Sequence, residues 1–412
     1  MHTRIAVTGM GAVTPLGNSM EETWTGLVNG RSGIGPITRF DPSNLPCRIA
    51  GEIRNLPESP VQKKLLRHLD PFVLYAITAC SEAFSQAGLD RSEWDRSRAG
   101  VVLGSSRGGI TTLEANMASY ARKGFQGISP HLTVSSLINQ ASAMISMQHQ
   151  LLGPSLTVST ACASGAHAIG ESVRILRSGD ADLIITGGSE APITPMIIGG
   201  FARARALSRR NHEPERACRP FDRDREGFVI SEGAGILILE TWEHAESRGA
   251  RIIGEISGFG LSSDACHMTA PDPQGDGMTR AMRLAMRDAG IGPDEIDLIN
   301  AHGTGTQLND RTEALALNKA LGPRAAVIPV CAIKSMTGHM LGASGALEVI
   351  ASILSSRTGT IPRILNLEHP DPVCGLNFVR GEPQRARIST VLSSSFAFGG
   401  ANAVLIVRGA AL

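Results

Sequence analysis

The chain predicts an α/β fold of stacked sheets and helices, made of two related halves. Three observations lead there. Short, continuous apolar runs that end in glycine recur along the 412 residues. Segments with helical periodicity lie between those runs. One pattern, a glycine turn followed by a closing strand, occurs twice. Continuous apolar strands with helical crossovers are the mark of sheets buried on both faces.

The elements follow in order. Ile5-Ala6-Val7-Thr8 opens the chain as a strand, with no signal-peptide apolar region before it. Residues 72–87 read as a helix. Residues 98–104 read as a buried strand that closes on Gly104. Residues 155–160 read as a strand and 164–176 as a helix, and residues 181–188 repeat the strand-to-glycine pattern. In the second half, 279–289 has helical spacing, and 297–303 and 327–333 are apolar and strand-like. The repeat pairs residues 228–239 (FVISEGAGILIL) with 396–406 (FAFGGANAVLI). It places a boundary near residue 250, after the helix-like stretch 243–248, and gives halves of 1–250 and 251–412. Nothing linker-like separates them, so one rigid unit is expected.

Composition excludes several classes. Hydrophobic residues make up 42 % and charged residues 19 %, a globular balance. Aromatic residues are only 4 % and the net charge is +1, so neither base stacking nor bulk charge points to nucleic acid. No apolar run reaches the ~18 residues needed to cross a membrane. Seven cysteines without a CxxC pair suggest neither disulfides nor zinc, and a reducing cytoplasm is expected. Val7-Thr8-Gly9-Met10-Gly11 lacks the third glycine of a dinucleotide fingerprint, because Thr14 stands there, so no nucleotide cofactor is expected. Asp264 and His267 form a partnerless pair that reads as structural, and no metal is assigned.

Three residues stand in unusual contexts. Cys162 lies in Thr160-Ala161-Cys162-Ala163-Ser164-Gly165, between a strand and a helix. Unpaired N–H groups and the helix dipole at that place favour a thiolate, and the small neighbours leave room for a thioester. His302 follows the strand Leu298-Ile299-Asn300-Ala301 and precedes Gly303-Thr304-Gly305-Thr306, at a strand's carboxyl end. His339 is framed by Gly338 and Gly342. One nucleophilic sulfur and two imidazole N–H donors suit a reaction that takes up an acyl group and then stabilises an enolate. The other six cysteines and nine histidines read as packing or surface residues. Lys334, after an apolar strand, needs an acidic partner if buried, and Glu313 is the candidate.

These contexts resemble those of the β-ketoacyl-acyl carrier protein synthases of the condensing-enzyme family, most closely the elongating synthase II type. The resemblance runs from Val7-Thr8-Gly9-Met10-Gly11 to Phe398-Gly399-Gly400-Ala401-Asn402. It implies a thiolase-like five-layered αβαβα fold and a decarboxylating condensation of an acyl thioester with malonyl-acyl carrier protein in fatty acid biosynthesis. It implies that Cys162, His302 and His339 are catalytic, supported by Lys334 and Glu313. It implies that Thr304 and Thr306 hold the phosphopantetheine arm. It further implies that Phe396 and Phe398 belong to a gating loop, with the Phe398 N–H joining that of Cys162 as an oxyanion hole. No cofactor beyond the carrier's phosphopantetheine is implied.

An acidic carrier needs basic docking residues, and Lys63, Lys64, Arg67, Arg203 and Arg205 are the candidates. Met196, Ile197, Ile198, Phe201 and Leu341 are expected to line the acyl pocket. Three positions depart from the family pattern. Ala397 stands where glycine is usual, Ala401 where threonine is usual, and Arg107 where a small or apolar residue is usual. If Ala397 needs a positive φ, alanine costs about 1 kcal/mol there. Arg107 either shapes the acyl pocket or pairs across a dimer interface. A homodimer is implied, with a heterodimer as the alternative. The rival readings are a ketosynthase of a specialised type II polyketide, polyene or signalling-lipid pathway, a thiolase-like acyltransferase, and a non-catalytic chain-length partner.

Overall fold

The computed structural model describes residues 3–57, 68–90 and 94–410. Ten strands carry the architecture. The first five are β1 (Ile5–Val13), β2 (Ala99–Gly104), β3 (Ser155–Val158), β4 (Leu183–Glu190) and β5 (Gly233–Thr241). The second five are β6 (Gly254–Ser263), β7 (Leu298–Asn300), β8 (Pro329–Cys331), β9 (Thr390–Phe396) and β10 (Ala401–Gly409).

Each set of five has the same spatial order. The first runs β3-β2-β4-β5-β1 and the second β8-β7-β9-β10-β6, that is, third-second-fourth-fifth-first in both. Pairing directions also repeat. The fifth strand is antiparallel to its first and fourth strands, and the second is parallel to its third and fourth. The sequence repeat falls on β5 and β10, the equivalent closing strands. β1 and β6 touch through Ala6–Glu255 and Val7–Gly254, which joins the half-sheets into one continuous surface.

Six helices cover the faces: α1 (Pro71–Gln86), α2 (Gln140–His149), α3 (Ser164–Ser178), α4 (Asp276–Asp288), α5 (Gln307–Leu321) and α6 (Ser344–Thr358). Three separate cores show the layering. Ile169 and Val173 of α3 and Val349 and Ile353 of α6 pack with Val7, Leu405 and Val407 between the sheets. Val73 and Ile77 of α1 cover Val101, Ile185 and Ile236 on one outer face. Met282 of α4 and Leu317 of α5 cover Ile299, Val330 and Ile406 on the other. β10 alternates accordingly, with Leu405 inward and Val404 and Ile406 outward. The result is the five-layered αβαβα arrangement expected from the sequence. Each fully buried Leu, Ile or Val contributes about 1.5–3 kcal/mol relative to exposure.

The central helices are built alike. A single 3-10 turn precedes each, Ala161–Ala163 before α3 and Leu341–Ala343 before α6. Each turn begins with a non-glycine residue at positive φ, 49° at Ala161 and 43° at Leu341. Gly165 lets the two N-termini meet, since a Cβ there would lie 2.7 Å from the Gly342 carbonyl oxygen. Gly104, at the end of β2, admits the start of α3, because its Cβ would lie 2.3 Å from the Ser164 carbonyl carbon. Close packing at this seam brings residues from distant parts of the chain to one point.

Candidate active site

Cys162 occupies the turn before α3 and is only 9 % exposed. Its surroundings are the apolar side chains of Ile193, Ile198, Phe201, Phe228 and Leu341. The backbone N–H of Phe398 hydrogen-bonds its sulfur. The sequence predicts a thiolate at this helix start, but burial pushes the thiol up to about 11, against the pull of Lys334, Arg107 and the Phe398 N–H. The buried carboxylate Glu190 opposes ionisation as well. Desolvation is the largest of these influences, so burial opposes the thiolate that the helix start favours.

His302 follows β7. Glu313 of α5 accepts from its backbone N–H at 2.7 Å and from the Gly303 N–H at 2.9 Å. Lys334 donates to the His302 carbonyl oxygen at 2.6 Å and to its Nδ1 at 3.1 Å. An ammonium only donates, so Nδ1 accepts and the ring proton sits on Nε2. His339 is held between Val229 and Ser231 by backbone hydrogen bonds, and its Nδ1 lies 3.0 Å from the Ser344 Oγ. A Ser344 hydroxyl that donates there leaves the His339 proton on Nε2 as well. The two rings stand 5.4 Å apart, nearly perpendicular at 83°. Burial first, and then the Lys334 charge, hold both imidazoles well below their usual pKa. Both are neutral N–H donors at physiological pH.

Lys334 is 1 % exposed, and its ion-pair partner is Glu348 of α6. The predicted pairing with Glu313 is therefore corrected. Glu313 sits under the His302–Gly303 backbone, where Ser394 also donates to it, while Glu348 reaches Lys334 from the central helix. Burial raises both carboxylates to about 7.

The loop after His302 rests on a second buried acid. Asp310 accepts from the Thr304 and Gly305 N–H groups at 3.1 and 3.2 Å, and from Phe221 at 2.7 Å. The Thr304 and Thr306 hydroxyls lie 2.9 Å apart. A cavity of about 270 Å³ joins these parts, lined among others by Cys162, His302, His339, Thr304, Thr306 and Phe396. Phe398, 36 % exposed, stands at its outer side. Such a cavity, with a sulfur and two N–H donors at its end, suits a thioester on a slender arm.

Other predicted residues fall as follows. Ile198, Phe201 and Leu341 are buried around Cys162. Ile197 packs against that cluster and is half-buried. Of the five predicted pocket residues only Phe201 lines this cavity; Ile197, Ile198 and Leu341 lie in the apolar cluster with Cys162, and Met196, at the start of the helix Pro195–Arg203, is 69 % exposed, which corrects the expectation there. Arg107 is exposed too and does not line the cavity. Arg205 lines the cavity's outer part at φ 55°, and Arg203 is exposed one turn away. Lys63, Lys64 and Arg67 lie outside the described residues. Ala397 has no positive φ; the turn is made by Gly399 at 83° and Gly400 at 74°, so alanine costs nothing in this state. Asp264 accepts from the Asn402 amide at 2.7 Å, and His267 Nδ1 accepts from the Thr269 and Ala270 N–H groups.

Sequence reasoning did not find Glu190, Asp310 or Ser344 as supports of the site. Glu190 accepts from the N–H groups of Ser106, Arg107 and Gly342, and so ties the turn beside Cys162 to the end of β2. The similar small-residue runs around 161–165 and 341–345 were the available signal for Ser344.

Residues 2–245 match the model of the β-ketoacyl synthase N-terminal domain, and residues 253–368 that of its C-terminal domain. The chain belongs to the β-ketoacyl synthase family. It is 46 % identical over 405 residues to 3-oxoacyl-[acyl-carrier-protein] synthase 2 of Coxiella burnetii, covering 98 % of each chain. Among solved structures it resembles the ishigamide ketosynthase/chain length factor, with a TM-score of 0.92, 36 % identity and 99 % of each chain covered. It also resembles a type II polyketide ketosynthase in complex with its acyl-carrier protein, with a TM-score of 0.91, 32 % identity and all of both chains covered. The chain is an acyl-transferring condensing enzyme.

Proposed function

We propose that this enzyme extends an acyl chain by two carbons, condensing an acyl thioester with malonyl-acyl carrier protein in fatty acid biosynthesis. The observation that carries this is one buried sulfur and two buried imidazoles, their rings 5.4 Å apart, lining the same cavity. The full-length likeness to a 3-oxoacyl-[acyl-carrier-protein] synthase 2 supports it.

The reaction runs in two stages. The Cys162 sulfur attacks the acyl thioester, the bond to the carrier's sulfur breaks, and the thiol proton leaves with the carrier. Malonyl thioester then loses carbon dioxide. Negative charge grows on its thioester oxygen, to which the Nε2–H groups of His302 and His339 donate in this reading. The enolate carbon attacks the acyl-enzyme carbonyl, whose oxyanion is held by the N–H groups of Cys162 and Phe398. Collapse expels the Cys162 thiolate and gives the 3-oxoacyl product. Lys334 positions His302 by fixing its tautomer, and Glu313 positions the His302–Gly303 backbone. Thr304 and Thr306 hold the phosphopantetheine arm, and Arg203 and Arg205 with Lys63, Lys64 and Arg67 meet the acidic carrier.

A homodimer fits the surface. Edge strand β3 exposes Leu156, and Met117, Tyr120, Phe125, Val134 and Leu137 are exposed nearby in sequence. So much apolar surface suits burial by a second copy. No described helix is long and apolar enough to cross a membrane, and seven free cysteines fit a cytoplasmic setting. A heteromeric ketosynthase of a specialised pathway is the second reading, favoured by the likeness to a ketosynthase/chain length factor. Reconstitution of the purified chain with acyl- and malonyl-carrier proteins tests the first. A 3-oxoacyl product two carbons longer, absent with Cys162→Ala, is expected. No product without an added partner chain overturns it in favour of the second.

A further inference from the structure

Arg225 is a buried cation, 2 % exposed, whose guanidinium faces main-chain carbonyls. Its Nε donates to the Thr306 carbonyl oxygen at 3.1 Å and its Nη2 to that of Gln307 at 3.3 Å. Its Nη1 donates to the Asp222 carbonyl oxygen and to the Asp371 carboxylate, both at 2.8 Å. The contact runs in both directions. The Gln307 side-chain amide donates to the Arg225 carbonyl oxygen at 2.6 Å, and the Gly227 N–H to the Gly305 carbonyl oxygen at 3.1 Å. Residues 225–227 are thus clamped onto residues 305–307.

What the clamp holds is the hydroxyl pair. Thr306 caps α5, its hydroxyl accepting from the Asn309 N–H at 3.3 Å and its carbonyl oxygen from the Asp310 N–H. With Asn309 donating to it, the Thr306 hydroxyl keeps its own hydrogen to give away. The Thr304 hydroxyl lies 2.9 Å from it, and both threonines line the cavity. Arg225 pins two successive carbonyls, those of Thr306 and Gln307, and so fixes the backbone from which the Thr306 hydroxyl projects. Asp310, 3.7 Å from Arg225, grips the N–H groups of Thr304 and Gly305 in the same loop. A planar fork of donors suits several acceptors at once, which the point charge of a lysine does not.

We propose that Arg225 is a positioning residue for the pantetheine arm, acting through the Thr306 and Gln307 carbonyls on where Thr306 and Thr304 present their hydroxyls. It serves capture of the thioester's arm rather than the making of bonds at Cys162. This rests on the ketosynthase reading, in which the two threonines hold that arm. A purely structural arginine would affect every thioester alike.

The test compares octanoyl-pantetheine with S-phenyl octanethioate, a thioester that lacks the arm. Acyl-enzyme formation is followed by intact mass against thioester concentration, which gives KM and kcat for acylation. Wild type, Arg225→Lys, Thr306→Val and the double variant are measured, with thermal melting as the check on folding. Arg225→Lys keeps the charge beside Asp371 and Asp310, and Arg225→Gln, with a planar amide donor, serves where lysine is not tolerated. Arg225→Lys is expected to raise KM for octanoyl-pantetheine about tenfold, what one misplaced hydrogen bond supports, with kcat nearly unchanged. Acylation by the phenyl thioester is expected to stay at the wild-type rate, and the KM penalty to vanish in the Thr306→Val background. An unchanged KM, an equal loss with both thioesters, or a penalty that adds in full to that of Thr306→Val overturns the inference and leaves the ketosynthase reading intact. Acylation of wild type by neither thioester, nor by any acyl-carrier protein, overturns the reading itself.

Discussion

Replacing Lys334 by methionine separates the chemistry of this site from its stability. The substitution keeps the length of the side chain but removes the ammonium that donates to His302 Nδ1 and to its carbonyl oxygen. Without that donor the His302 ring is free to carry its proton on Nδ1, and the donor at Nε2 is lost. Loss of one preorganised oxyanion donor costs about 10²–10³ in rate, or about 2.7–4 kcal/mol. Carbon dioxide release from malonyl-carrier protein is expected to fall by that factor. Acylation of Cys162 is expected to change by no more than about tenfold, because there Lys334 acts only through its field. Stability falls too. Glu348 is left buried without its cation, and breaking a buried pair costs about 3–5 kcal/mol. The double variant Lys334→Met/Glu348→Leu removes both charges and is expected to regain most of that stability without regaining decarboxylation. Thermal melting and carbon dioxide release, measured on the single and double variants, check this. Decarboxylation at the wild-type rate in Lys334→Met, or its recovery in the double variant, would refute the tautomer argument.

Other expectations follow from burial and packing. With the Cys162 thiol held near 11, its alkylation rate by iodoacetamide should rise about tenfold per pH unit from pH 7 to beyond 9, since only the thiolate reacts; a plateau above pH 8 would mean that the helix terminus wins after all. The histidines, with native pKa values well below 6.5, stay neutral from pH 8 down to 6, so any change of decarboxylation in that window should be centred near 7, where the buried Glu313 and Glu348 carboxyls titrate; imidazole NMR signals of His302 or His339 that titrate there would contradict this. For stability the sign is that of a depressed base. The native state is favoured above the unfolded value of about 6.5, and that contribution is lost as pH falls below it towards the native pKa. Glu313 and Glu348, raised to about 7, act in the opposite sense and gain stability as pH falls through 7, so the histidine contribution is read as a steeper fall of denaturant-measured stability from pH 7.5 to 5.5 in wild type than in His302→Ala/His339→Ala. Gly104→Ala drives a Cβ to 2.3 Å from the Ser164 carbonyl carbon. Overpacking of this kind costs about 1–3 kcal/mol, and the variant should melt lower and acylate more slowly, because α3 carries Cys162.

The three reactive residues were legible because each sits in a short context whose glycines and small side chains already describe a turn at a strand or helix end. The repeat of 228–239 in 396–406 landed on β5 and β10, since closing strands keep their pattern when a half is duplicated. What a sequence does not carry is direction in space. Glu313 is near His302 in the chain, yet Lys334 turns to Glu348, and α6 is buried on nearly all sides, so no periodic face marks that glutamate as pointing anywhere. The Cys162 thiolate was a local inference from the helix start, whereas its desolvation comes from Ile193, Phe201, Phe228 and Leu341, brought in from three other segments. Met196 failed for a related reason. It shares a helix with Ile198 and Phe201 but stands on the face turned to solvent.

The account rests on a division of labour between the sulfur and the imidazoles, and one paired measurement tests it most directly. Acyl transfer by intact mass and carbon dioxide release from malonyl-carrier protein would be followed in Cys162→Ala, His302→Ala and His339→Ala. Cys162→Ala should take up no acyl group and still release carbon dioxide, while both histidine variants should acylate and release almost none. Histidine variants that fail to acylate but still decarboxylate would contradict it.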